Sequence, residues 1–293
     1  MDASSPHDVA PEAARERCQV YAPASGGGGL TLLARQIVAD LGRSRWLTFQ
    51  LLRRDLVASS KQSVMGALWF IVLPLFGIAA FVALNRAGVL SPGRVALPYP
   101  IYAIGGLAFW QLFAMGSAAG AHALSSSAAL IGKINFSRKS LVIASQGRAW
   151  ITFVVHIALL LGVQIWQGAP LRVTMLLAPL LAIPVLLLGL AAAFLLALAN
   201  ALIRDVATST PLAINLLLLA TPILYEIPDQ GSLRWIARIN PLYHLVAAPR
   251  DLILMGTLPN PMDFLVSAVF AVVALAGALL FFHVAEQRIV ERL

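Results

Sequence analysis

Negative charge is missing from the middle of this sequence: no Asp or Glu occurs between Asp55 and Asp205. Carriers driven by protons or sodium ions generally hold or neutralise the coupling ion with carboxylates inside the membrane, so the gap weakens that reading considerably. Cysteine is reduced to Cys18, which excludes an intramolecular disulfide framework and paired thiolates for a metal. His122, His156, His244 and His283 are dispersed, without an HExxH pair or a second ligand at helical spacing, so no metal site is supported. His156, beside Val155 in an apolar run, reads as a neutral, hydrogen-bonded packing residue. A GxxxxGK[ST] loop to cradle phosphates is also absent. No catalytic residue is expected, and if ATP drives this protein another chain must bind it. No repeat relates the two halves, which leaves an inverted-repeat transporter without support.

What is present is apolar. The 293 residues are 59% hydrophobic and 12% charged, with a mean hydropathy of +0.83, which marks an integral membrane protein. Six segments reach spanning length at about 1.5 Å per residue: 65–85, 99–121, 141–166, 173–203, 207–225 and 264–284. The fourth is longer than it needs to be, and its Pro179 and Pro184 are expected to kink or tilt it. With the spans laid down alternately and the N-terminus inside, 15 Lys and Arg fall in cytoplasmic segments and 6 outside. Both termini are therefore expected in the cytoplasm of a multi-pass protein. The net charge of +8 has the same explanation, and no nucleic-acid partner is expected.

Four regions outside the plain spans carry information. Residues 1–30, polar and Pro- and Ala-rich up to the GGGG at 26–29, read as a disordered cytoplasmic tail without the n-region and h-region of a signal peptide. Residues 31–58 mix Leu33, Ile37, Leu41, Leu47, Leu51 and Leu56 with five arginines, an amphipathic helix at the cytoplasmic interface, broken near Gly42. Residues 226–261 have apolar pieces interrupted by Arg234, Arg238, Pro241, Pro249, Arg250 and Asp251, the pattern of a re-entrant or interfacial helical hairpin. Arg250 and Asp251 read equally well as a structural pair there. The cytoplasmic segment 122–148 has an apolar core of Leu130, Ile131, Ile134 and Phe136 edged by Lys133, Arg138 and Lys139. It suits docking to a soluble partner, or an interfacial loop whose cations snorkel to anionic lipid.

Inside the second span, Gly116 and Gly120 form a GxxxG pair that allows close helix approach. Aromatic residues gather toward the outer ends: Tyr99, Tyr102, Phe109, Trp110 and Tyr225, with Trp69 near the start of the first span. Most read as interfacial belt residues. The functional alternative is that some line a conduit and stack on sugar faces.

These residues carry a resemblance. LLRRDLVASSKQSVMGALWFIVLPL at 51–75, PYPIYAIGGLAFWQLF at 98–113, LIGKINFSRKSL at 130–141, ALIRDV at 201–206, PILYEIP at 222–228 and RINPLYHL at 238–245 follow one another in the order found in the transmembrane permease subunits of polysaccharide ABC exporters. The chain resembles these Wzm-like and teichoic-acid permeases, of the type-2 ABC exporter fold, from about residue 45 to the end. The resemblance implies an all-α membrane domain over 31–293: an interface helix at 31–61, and six spans with the outer hairpin within 65–284. It implies that the basic segment with Arg53, Arg54, Asp55 and Lys61 follows an interface helix that rests on the membrane and contacts an ATPase, and that Leu130, Ile131, Lys133, Ile134, Phe136 and Arg138 couple to it. Relatives commonly have proline where this chain has Ser137. The resemblance further implies a homodimer with two copies of an ABC ATPase that holds ATP and Mg, no cofactor in this chain, and a lipid-linked glycan as substrate. Trp69, Tyr99, Tyr102, Phe109, Trp110, Tyr225 and Arg250 are then the candidates for conduit and exit, in a bacterial inner membrane. A drug or lipid exporter of the same fold and a non-transporting scaffold for glycan synthesis are the alternatives.

Overall fold

A computed structural model describes residues 30–61, 68–88, 97–131, 136–225 and 238–289. The described residues are helical and contain no strand. Ten α-helices follow in order: α1 (Leu30–Lys61), α2 (Trp69–Arg86), α3 (Tyr99–His122), α4 (Ala128–Ile131), α5 (Lys139–Ala144), α6 (Gly147–Trp166), α7 (Ala178–Leu202), α8 (Asp205–Ala220), α9 (Pro241–Met255) and α10 (Pro261–Ile289). Among the described residues, four stretches are long and apolar enough to cross a membrane: Tyr99–His122, Lys139–Trp166, Val173–Leu202 and Pro261–Glu286. Each lies within three residues of a segment expected from the sequence. The other two expected spans correspond to α2 and α8, of 18 and 16 residues.

The long spans are built around α3, which packs on α6 and α7 and meets α2, α8 and α9 along its length. Small residues make this possible, because helix backbones in a membrane gain by close contact rather than by escaping water. A Cβ added to Gly120 would lie 2.6 Å from the Ala193 Cα on α7, so α3 and α7 touch there backbone to backbone. The opposite situation holds on α10, whose Leu265, Val266, Val269, Phe270, Val272 and Val273 are all exposed, a surface suited to lipid tails.

Proline acts differently at its two positions in the fourth stretch. Residues Val173–Leu177 form a 3-10 turn, and α7 then begins at Ala178, placing Pro179 in its first turn. Proline lacks an N–H that this turn would leave unbonded anyway, so Pro179 starts the helix rather than kinking it. Pro184 sits in the helix interior. Only Ile203 and Arg204 separate α7 from α8, and the junction is held by a side chain: Asn200 Oδ1 accepts the Ala207 N–H at 3.0 Å. Pro211 then interrupts the ladder inside α8.

The expected break at Gly42 is absent: α1 runs unbroken for 32 residues. One interior glycine costs roughly 1 kcal/mol of helix propensity, too little to stop a helix whose inner face is packed. That inner face carries Ile37 and Leu51, both buried, and lies against α5. Its other side exposes Val38, Trp46 and Phe49 among Arg35, Arg43 and Arg45.

The buried residues fall into two clusters. The larger fills the space among α2, α3, α6, α7, α9 and α10. The smaller gathers Leu51 of α1, Leu141 and Val142 of α5, Phe194 and Leu198 of α7, and Phe282 of α10 at one end of the molecule. That end bears the segments expected in the cytoplasm from the sequence, and we refer to it as the inner end.

Candidate functional site

At the inner end, a lysine is completely enclosed. The Lys139 side chain has no exposure, and its ammonium donates to Glu286 Oε2 at 2.8 Å while lying 3.6 Å from Asp40 Oδ2. The other Glu286 carboxylate oxygen accepts the Arg138 backbone N–H at 3.0 Å, and Arg138 Nη1 donates to the Glu286 carbonyl at 3.2 Å. Three distant pieces of chain, α1, the start of the third span and the end of the last, therefore meet at one charge cluster. His283, buried and one turn before Glu286, stands beside it.

The expected coupling residues lie next to this cluster in sequence and packing. Leu130 and Ile131 of α4, together with Phe136, are half-buried against the smaller core cluster. Ser137, where relatives commonly have proline, is buried. Lys133 and Ile134 fall outside the described residues. On α1, Arg53 and Arg54 are exposed, and Arg54 pairs with its neighbour Asp55 at 2.9 Å, with side chains about half exposed. Exposed pairs of this kind contribute little to stability. Lys61 ends α1 and Trp69 begins α2.

The opposite, outer end is organised by Arg250 of α9, which is buried. Its guanidinium carbon lies 3.9 Å from the centre of the Tyr102 ring, Nη1 donates to the Ile223 carbonyl at 2.8 Å, and Nε donates to Asp251 Oδ1 at 2.8 Å. The expectation of an Arg250–Asp251 pair is met, with two further contacts that spacing did not reveal. Gly106 makes room for them: a Cβ there would lie 2.8 Å from Ile223 Cγ2 and 3.6 Å from Arg250 Cδ. Asn240 caps α9 by accepting the Leu242 N–H at 3.0 Å, and its amide donates to Thr221 at 3.0 Å. The Tyr225 hydroxyl donates to the Leu219 carbonyl at 2.7 Å near the end of α8. Arg172 Nε donates to the Leu254 carbonyl at 3.1 Å, tying the turn before α7 to α9.

Four of the aromatic candidates are interior to the chain. Tyr99, Tyr102, Phe109 and Trp110 are buried on α3, Phe109 with its ring centre 5.4 Å from Phe153 and Trp110 5.8 Å from Phe113. A belt residue faces headgroups, and α3 has no free face to offer them because α6, α7 and α9 surround it. Buried His156 places Nδ1 2.8 Å from the Thr152 carbonyl, the packing role expected of it. Glu286 and Asp40, by contrast, were not singled out by sequence reasoning. The signal available was that Glu286 ends an otherwise apolar span.

Comparison with known proteins gives this helical membrane-type architecture a family. The family model of the ABC-2 type transporter matches residues 47–254. The chain belongs to the ABC-2 type transporter family. It is similar to the O-antigen export system permease protein RfbA of Myxococcus xanthus, 26% identical over 247 residues, covering 83% of this chain and 94% of that protein. It is also similar to a protein of the same description from Klebsiella pneumoniae, 27% identical over 210 residues, 70% of this chain and 79% of the relative. The chain is thus the permease of an ABC-2 type transporter, a membrane subunit without a catalytic domain, and the family implies an ABC ATPase as its partner.

Proposed function

We propose that this chain is the permease half of an ATP-driven exporter that carries a lipid-linked polysaccharide from the cytoplasm to the outer face of a bacterial inner membrane. The observation that carries the reading is the similarity to O-antigen export permeases over nearly the whole length of one of them. The absence of carboxylates from the first four spans is consistent with it, since a passive-walled path needs no coupling-ion site.

In this reading the molecule crosses the membrane six times, with α2 and α8 completed by flanking residues, and both termini are cytoplasmic. Residues 31–293 form the permease domain, and α9 is the second limb of an outer re-entrant hairpin. Two copies form the path, each with one ATPase that supplies ATP and Mg chemistry. The exposed Leu75 and Phe76 of α2 and Leu212, Leu216 and Leu219 of α8 are the faces that meet across the dimer and part during transport. Leu130, Ile131, Lys133, Ile134, Phe136 and Arg138 receive the ATPase stroke, and the α1 stretch with Arg53, Arg54, Asp55 and Lys61 rests against the ATPase. At the outer end, Tyr225 and Arg250 border the exit, while Tyr99, Tyr102, Phe109 and Trp110 set its shape from behind; Trp69, at the inner start of α2, belongs to the conduit.

The test is to deplete the protein in its source cell and compare total lipid-linked glycan with the glycan reached by an impermeant surface label. Polymer accumulating inside while surface label falls is the expected result, and its composition names the substrate. Unchanged glycan on both sides would overturn the reading in favour of drug or lipid export.

A further inference from the structure

The buried Lys139 cluster has a property that packing alone does not require. Enclosing an ammonium and two carboxylates removes all three from water, and well-packed apolar side chains of the same size generally give at least equal stability. What the charges add is directional restraint. The Lys139 ammonium has to stay within reach of Glu286 on α10 and Asp40 on α1 at once. Glu286 in turn grips the coupling segment twice more, through the Arg138 backbone N–H and the Arg138 guanidinium. The cluster begins two residues after Phe136, so a push on that segment arrives at Glu286 and Asp40 with no intervening turn of flexible chain.

We propose that Lys139, Glu286 and Asp40 are positioning residues that fasten the coupling segment to the last span and to α1, so that the ATPase stroke moves all three as one body. This rests on the coupling role given to residues 130–138 in the proposed function. It extends that role to α10, which sequence reasoning and family membership leave outside the drive. Without the clasp, force delivered to the coupling segment would reach the third span and leave α1 and α10 behind.

The experiment uses the whole permease with its ATPase in nanodiscs, with Cys18→Ser and spin labels at two exposed positions, Arg43 on α1 and Val284 on α10. In the native protein the 43–284 distance within a protomer is expected to stay constant between nucleotide-free and ATP-bound states. In Lys139→Met/Glu286→Leu, which removes both charges of the close pair together, the distance is expected to broaden on ATP binding. The ATP consumed per glycan surfaced should rise by about five-fold or more, the scale of a typical coupling free energy. Glu286→Gln, which keeps the shape and an acceptor for Arg138 N–H, is expected to show the same direction at normal protein level, and it decides the matter if the double variant does not accumulate. A native distance that changes with nucleotide, or variants with constant distance and the native ATP-to-glycan ratio, would overturn the proposal. A native complex that surfaces no glycan counts against the export reading alone, because the distance measurement needs only ATP.

Discussion

The helices α3 and α10 are both long and apolar enough to cross a membrane, and they are made in opposite ways. α3 is the least hydropathic of the four long apolar stretches and 83% of its apolar stretch is buried; that of α10 is among the most hydropathic and only 17% buried. A helix surrounded by other helices gains by letting backbones approach, which favours glycine, alanine and polar groups that find partners. A helix facing lipid needs a continuous apolar coat and little else. Hydropathy along this chain therefore reports contact with lipid better than it reports depth in the protein.

The comparison predicts a graded set of substitutions. The largest effect is expected from Gly120→Leu on α3, whose side chain would enter the Ala193 backbone and cannot be relieved by a rotamer change. A loss of about 3 kcal/mol or more is expected, read as little folded protein after detergent extraction. Next comes Arg250→Met, which leaves the partly buried Asp251 carboxylate and the Ile223 carbonyl without their donor. Breaking such a pair costs about 3 kcal/mol, measurable as a lower unfolding temperature in detergent. The smallest is Gly277→Ala on α10, where nothing lies within 4 Å of the added methyl. It should be neutral or stabilising by up to about 1 kcal/mol in the same melting experiment. If Gly120→Leu were tolerated as well as Gly277→Ala, the contrast between an interior and a lipid-facing span would fail.

The sequence read well wherever the signal was local. Four spans, the pairing of Arg250 with Asp251 and the packing role of His156 were legible, because each depends on an apolar run or on partners adjacent or one turn apart. The inner end was not. Lys139 and Glu286 are 147 positions apart, and as isolated residues at span ends each matches an ordinary snorkelling charge. The aromatics of α3 were assigned to lipid headgroups for the same reason: a Trp or Tyr near the end of an apolar run has the composition of a belt residue, whatever surrounds it. Gly42 misled in the other direction, since a glycine just before Arg43 and Arg45 looks like a stop signal until the packed face on either side is known.

The side-chain splice between α7 and α8 has a mechanical consequence. With Asn200 gripping the Ala207 N–H across a two-residue corner, the first turn of α8 is riveted to α7 and cannot swing on that corner alone. One turn further along, Pro211 donates no hydrogen bond, and the Ala207 carbonyl loses the partner it would have had in a regular helix. The compliant point of α8 thus lies inside the helix and away from the corner. Beyond Pro211 the helix is two-faced, with Leu212, Leu216 and Leu219 exposed and Ile214, Leu217 and Leu218 packed on the core, so any bend at the proline is resisted by that packed face.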